Sequence, residues 1–391
     1  MNGAGSRIAV ALMLALLLLS IPLAHADYIY NGAFAGYFQH NHEIARKKGL
    51  ATLVELARYC QEAGLLKQAR MLWLEILTVK KDFAEAHKAL GRVKVGKEWM
   101  TPEARDKALR AENKDMVRWG DAFVAANTLP ELRKALNEST KIAGNTWWHK
   151  CEGFEIVTLS SEEAAWAECR AVESALTAFD TMFAALGKGK GSLKLYLFPD
   201  EMTLSQHFKD RTGLLPPTGC FYDEPTGAVH GVVGTTAKVV EAATIARLTQ
   251  LGFDRLEANY WAWSGILSYM KTAVEDDKRV SPGHAGPGAT TMKVSARKED
   301  LAFNEPELTR LMKLKYKEFE EEDGFSNMSK AWGVFYVCCH EYQGAFRKEF
   351  LKVLKGALEG KAGYPELKKI THWNLILCQL GTLISAIPIE E

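Results

Sequence analysis

The period of the apolar residues changes once along this chain, near Thr146, and that change restricts it to a helical part followed by a mixed part. Before Thr146, Leu53, Leu56, Ala57 and Cys60 recur at helical spacing up to Gly64. Ala69, Leu72, Trp73, Ile76 and Leu77 form a second such stripe. Small Ala57, Gly64 and Ala69 let two helices approach closely, and Trp73 fills the space that remains. Val95–Arg105 breaks the pattern. Thr101-Pro102-Glu103 reads as cap, first-turn proline and acidic first turn of another helix, and charged helical sequence continues to about Ala143.

Beyond Thr146, Phe154–Leu159 and the alternating Leu193–Phe198 read as strands, separated by a long helix over Ser160–Leu186 with Ser160 or Ser161 as cap. A helix ending at Phe208 follows. Cys220–Tyr222 and Ala228–Val233 flank Asp223–Gly227, whose Pro225 and Gly227 mark a hairpin turn. Helices at Val239–Leu251 and Asn259–Ala273 come next, then a Gly- and Pro-rich loop at Ser281–Ala289, then mostly helix. The fold class expected is α+β, with more helix than sheet.

Residues 1–26 read as a cleavable secretory signal peptide. Arg7 is the single charge, Ile8–Leu23 is apolar, and Ala24-His25-Ala26 offers small residues to a peptidase. The apolar run is about 16 residues, short of the roughly 20 that span a bilayer as a helix. The expected mature chain starts at Asp27 and is periplasmic or extracellular, with no transmembrane segment. Removing Arg7 from the 49 basic residues leaves 48 against 48 acidic ones. Such a neutral chain has no global field to draw in nucleic acid or anionic lipid. The acidic run Glu318–Asp323 reads as a solvated helix end.

Seven cysteines occur, none in a CxxC spacing, so zinc ribbons and thioredoxin-type redox chemistry are not supported. Export permits disulfides, and the spacing does not assign partners. Cys60 and Cys169 fall within helical patterns as buried small residues. His40 and His42 alternate along the arm and read as surface residues. Trp147-Trp148 reads as a packing anchor, with a carbohydrate platform as the alternative. No GxSxG elbow, phosphate-binding glycine loop or GxGxxG fingerprint occurs.

The paired stripes of residues 51–90 resemble one tetratricopeptide-like repeat, and Phe83–Gly91 resembles the start of another, with Lys81 where the family has proline. Repeats of this kind need neighbours to bury their faces, so the pair reads as a capping module. The element order from about 147 to 358, with this lead-in, resembles the peptidase MA-like domains of the gluzincin metalloproteases. There, the helix after the hairpin carries HExxH, whose histidines bind zinc and whose glutamate activates water, and the next helix supplies a ligand glutamate.

Trp261, Gly265 and Tyr269 match the second family motif, with Ser264 at the ligand position. Twenty residues upstream, Val240-Glu241-Ala242-Ala243-Thr244 stands where HExxH belongs. Glu241 matches the general base, and Val240 and Thr244 replace both histidines. Valine cannot coordinate a metal, and a neutral hydroxyl is a poor zinc ligand. The resemblance therefore implies a scaffold without catalytic residues, metal or other cofactor, with Val240 and Thr244 extending the core. His340-Glu341 begins like HExxH but has Gly344 at the second histidine position, and His230 reads as structural.

The segments expected are 1–26 signal peptide, 27–48 arm, 49–110 tetratricopeptide-like module, 111–145 helical connector and 146–391 peptidase MA-like domain. The function expected is an exported, non-catalytic protein that binds a peptide or protein. The family's docking strand corresponds to Ala228, Val229, His230, Gly231, Val232 and Val233, which would capture an extended segment by strand addition. The alternatives are a metal-dependent hydrolase or peptidase with a rearranged site at Glu241, His230 and Glu257, and a structural envelope component with no defined ligand.

Overall fold

The computed structural model describes residues 38–62, 66–112, 114–151, 153–187, 189, 191–216, 219–274, 304–340, 346–361, 363–370, 373–374, 376 and 380. The expected signal peptide, the first half of the arm and the loop at 281–289 lie outside the described residues. The chain divides into two units, Met1–Arg105 and Asp106–Glu391, each described by itself. The architecture is α+β, with small sheets among many helices. Among the described residues no helix is long and apolar enough to cross a membrane.

In the first unit, residues 38–48 are helical and end at Gly49, whose positive φ of 99° turns the chain. Helices α1 (Leu50–Glu62) and α2 (Leu66–Val79) then pack against each other. Leu53, Ala57, Cys60, Ala69, Leu72, Trp73 and Ile76 are buried between them, as the two stripes predict. Trp73 is only 2 % exposed, and its indole N–H donates to Gln61 Oε1 at 3.2 Å. His42 does not stand free on the surface; its Nε2 lies 2.5 Å from Glu75 Oε2. Phe83–Gly91 contributes one short helix, α3 (Ala84–Ala89). The chain then forms a hairpin of β1 (Val93–Val95) and β2 (Glu98–Met100), turning at Gly96 with φ 59°.

Helix α4 (Pro102–Glu112) opens on Thr101, whose Oγ1 accepts from Ala104 N at 3.2 Å, so the expected cap is present. The stretch expected as a helical connector differs. Met116–Trp119 (β3) and Ala122–Ala125 (β4) form a second hairpin, and a single 3-10 turn at Ala126–Thr128 leads into the α-helix Leu129–Thr140 (α5). The cause is local: Gly120-Asp121 is a two-residue turn with Gly120 at φ 66°, flanked by β-formers Val117, Trp119, Phe123 and Val124. A Cβ on Gly120 would lie 2.4 Å from the Trp148 ring, so this turn also requires glycine for close packing.

A five-stranded sheet follows, built from β5 (Trp147–Cys151), β6 (Phe154–Thr158), β7 (Leu193–Phe198), β8 (Phe221–Asp223) and β9 (Ala228–Val232). Its order is β5-β6-β7-β9-β8. β6, β7 and β9 run parallel, while β5 and β8 are antiparallel to their neighbours. The parallel pairs are linked through helices α6 (Glu162–Met182) and α7 (Glu201–Thr212). Ser161 caps α6, and α7 runs four residues past Phe208 before Gly213 stops it at φ 73°.

Alternation along the strands divides the side chains between two faces. Leu193, Leu195 and Leu197 join Val172 and Leu176 of α6, whereas Phe198 joins Leu204 and Phe208 of α7. Trp147 and Trp148 are taken up in packing. Arg133 stacks over the Trp147 ring at 4.4 Å, and the Trp148 indole donates to Glu155 at 3.1 Å.

The remaining core is helical: α8 (Thr236–Gln250), α9 (Tyr260–Thr272), α10 (Glu305–Leu311), α11 (Tyr316–His340), α12 (Arg347–Leu358) and α13 (Tyr364–Leu367). The acidic run ends a helical stretch as expected, because α11 kinks at Asp323; Phe319 within the run is buried.

The first unit depends on its central indole. Trp73→Ala should cost about 3–5 kcal/mol of that unit's stability, the range for large aromatic truncations in cores. Urea unfolding followed by circular dichroism reads the loss; one below about 1 kcal/mol would show that Trp73 does not hold the helix pair together.

Candidate functional site

Helix α8 lies between two cores. Val239, Ala242, Ala243 and Ala246 face the sheet, while Val240 and Leu248 enter the helical core with Trp261, Ile266 and Phe335. Its first turn is fixed by a buried carboxylate from α6. Glu168 Oε1 accepts from Gly234 N at 2.9 Å and from Thr236 Oγ1 at 3.0 Å. A carboxylate at a helix N-terminus satisfies end donors and opposes the positive end of the macrodipole. Arg247 ties the far end to α6 through Asp180, at 2.5 and 3.1 Å.

The positions matched to zinc ligands are closed. Val240 is fully buried, and Thr244 is buried with its hydroxyl donating to the Val240 carbonyl at 2.7 Å. On α9, Ser264 is buried and its carbonyl accepts from Ser268 Oγ at 2.7 Å. Thr272 donates to the Ser268 carbonyl at 2.8 Å and accepts from Trp332 Nε1 at 2.8 Å. The hydroxyls of Thr244, Ser268 and Thr272 are thus each bonded back to their own helix, and that of Thr272 also to Trp332 of α11. Glu241 is held by Lys271, with Oε2 and Nζ 2.8 Å apart and both side chains part-exposed. Gly265 lies under Phe335, whose ring would be 2.4 Å from an added Cβ.

The other candidates occupy separate places. His230 points to the α7 face of the sheet, opposite Val229, and is fully buried against Phe221, Tyr196 and His207. Neither ring nitrogen has a hydrogen-bond partner; Asp223 Oδ2 is 3.8 Å from Nε2 and is engaged by Arg211 and Thr226, each at 2.5 Å. Burial, reinforced by Arg211, pushes the His230 pKa down to about 3. Glu257 is exposed in the turn after α8. Glu241, His230 and Glu257 therefore form no cluster. Among the described residues, no group of three or more His, Cys, Asp or Glu could hold a metal ion.

His340 lies at the end of α11, hydrogen-bonded to the Tyr269 hydroxyl, and burial followed by the nearby Arg347 pushes its pKa down to about 3. Glu341–Gly344, the rest of that motif, lie outside the described residues. Lys271, Glu168 and the Tyr269–His340 pair have no local signal in the sequence, because each partner is distant along the chain.

The expected docking strand is corrected by the sheet order. Ala228–Val232 pairs along its length with β7 on one side and, over Ala228–His230, with β8 on the other, and all five residues are buried. Val233 continues the ladder, its N–H donating to the Phe198 carbonyl at 2.9 Å. The hairpin folds β8 back over β9, so the terminal position in the sheet belongs to Phe221–Asp223.

His230 and His340 should set the acid sensitivity. Both are neutral in the fold but take up protons near pH 6.5 once unfolded. The unfolded state then binds more protons, so stability falls as pH drops from about 6.5 toward 3, by at most about 1.4 kcal/mol per pH unit for each histidine. Glu307, held near 2 chiefly by Arg310, loses its stabilising contribution only below its unfolded value near 4.5. Urea midpoints between pH 7 and 5 should therefore slope less in His230→Phe and His340→Gln than in the parent. Equal slopes would remove these histidines from the acid response.

Comparison of the chain with protein-family models, with curated proteins and with solved structures finds no match.

Proposed function

We propose that this is an exported, non-catalytic protein, with a tetratricopeptide-like lead-in and a peptidase MA-like scaffold lacking zinc ligands, which binds an extended peptide or protein segment. One observation carries the reading. The matched positions hold a buried valine, a threonine bonded back to its own helix and a buried serine, while Lys271 occupies the carboxylate of Glu241. A hydrolase using Glu241, His230 and Glu257 is less well supported, because these side chains lie in three different surroundings.

The binding part of the reading rests on two surfaces, one in each unit. In the second, β8 is short and terminal in the sheet, where an added strand would find backbone donors and acceptors. In the first, α2 leaves Met71 and Leu74 exposed at i, i+3 spacing, opposite its buried stripe. The β8 edge is the favoured docking site, since strand addition needs no pocket and tolerates varied side chains.

Peptides selected from a random display library on the mature protein, followed by amide hydrogen exchange, test this. Slower exchange at Phe221–Asp223 on peptide binding is expected, with no zinc in the purified protein. A stoichiometric zinc whose removal abolishes peptidase activity would overturn the proposal, and so would peptides that leave β8 unprotected.

The register of α8 and α9 has its own test. Val240→His, Thr244→His and Ser264→Glu together should produce zinc binding measurable by calorimetry and absent from the parent. Missing outer-shell partners could weaken it by about 10–100-fold. Single and double variants should bind far more weakly. A folded triple variant with no gain in zinc affinity would show that these positions do not converge.

A further inference from the structure

On the α7 face of the sheet, the His230 ring is 0 % exposed and neither of its nitrogens has a hydrogen-bond partner. Three elements surround it. β7 supplies Tyr196, with ring centroids 5.1 Å apart. α7 supplies the half-buried His207 at 6.0 Å, Phe208 at 6.4 Å and the Arg211 guanidinium, while Asp210 acts on His207 from the same helix. β8 supplies Asp223 and Phe221, the latter paired with His230 across the ladder and stacked on it at 5.2 Å. α8 packs on the other face, where it meets Val229.

We propose that His230 is a proton-operated latch on the edge strand: a proton on its ring is accommodated by releasing Phe221–Asp223 from β9, so acid opens the edge at which a segment would dock. The closed arrangement has no place for an imidazolium. The nearest acceptor, Asp223 Oδ2, is 3.8 Å from Nε2, beyond hydrogen-bond reach, and already accepts from Arg211 and Thr226 at 2.5 Å each. Arg211 opposes a second cation, and a buried charge without a hydrogen-bonded partner is costly.

β8 is the wall that can move. It pairs with β9 only over Phe221–Asp223 and is terminal in the sheet. β7, by contrast, pairs along the whole of β9 and is flanked by β6 on its other side. Moving β8 away carries Phe221 off the ring and lets water reach both nitrogens. In that open form His230 takes up a proton near pH 6.5, whereas in the closed form it stays neutral down to about pH 3. The open form therefore binds more protons, and its share grows as pH falls below about 6.5. The latch rests on the proposed docking only for its use: a docked segment and a proton compete for β8, while opening itself is measured with no peptide present.

Amide hydrogen exchange of the mature protein, corrected for the intrinsic rate at each pH, is compared at pH 7 and pH 5. Opening at Phe221–Asp223 should rise about 25-fold, the ratio for a group that moves from about 3 when closed to about 6.5 when open. Leu193–Phe198 of β7 should keep its protection. His230→Phe, which keeps a ring on Phe221 but takes no proton, should flatten the response, and His340→Gln should leave it intact. A rise below about 3-fold at β8 would overturn the latch. So would an equal rise at β7, or an unchanged response in His230→Phe. If His230→Phe does not fold, the comparison of β8 with β7 in the parent decides. Peptides that leave β8 unprotected, in a chain whose β8 does open with acid, overturn the docking alone.

Discussion

Burial of α9 on every side is the constraint on which the second unit depends. Tyr260 to Met270 is continuously buried, including Trp261, Trp263 and Tyr269, so this helix has no solvated face. Such a helix is stable only when neighbours enclose it. α8, α11 and α12 do so, and Gly265 lets α11 come close enough for Phe335 to lie over the backbone. Around this contact, Phe335 meets Trp261, Tyr269 and Phe350 at ring distances of 5.0–6.4 Å. Aromatic packing of this kind adds to plain area burial through edge and face complementarity.

That enclosure reaches the sheet through α8, which presents small alanines to the strands and branched or larger side chains to the helices. A helix buried on two faces has little room for polar groups that lack partners. The polar side chains that do occur are engaged nearby: Thr244 with its own helix, Glu168 with the start of α8, and Arg247 with Asp180. The same economy explains why Glu241, at the margin, meets Lys271. An ion pair this exposed contributes little to stability, on the order of 0–1 kcal/mol, but it occupies both charges.

On the opposite face of the sheet, His230 is held by rings instead of hydrogen bonds. It stacks near-parallel on Phe221, 5.2 Å between centroids at 7°, and burial among these rings keeps it neutral. That face and the α8 face share one strand but do different physical work: one excludes water around an imidazole, the other positions a helix.

Local pattern determined much of this molecule. Periodicity placed α1, α2, α8 and α9, alternation placed β7, and burial of Trp73, Cys60 and Cys169 followed from their helical patterns. The Pro and Gly of residues 223–227 marked the turn between β8 and β9. The hairpin at Met116–Ala125 was also legible from Gly120-Asp121 between β-formers, although surrounding charges favoured a helical reading. Only the tertiary structure decided that Ala228–Val232 is an interior strand, because strand order depends on pairing partners and not on the strand's own residues. It alone joined Glu168 to Gly234, Glu241 to Lys271, and Tyr269 to His340, 71 residues apart in the last case. Residues so distant share no helical turn or strand register, so nothing local in the sequence encodes their meeting; packing of the apolar faces brings them together.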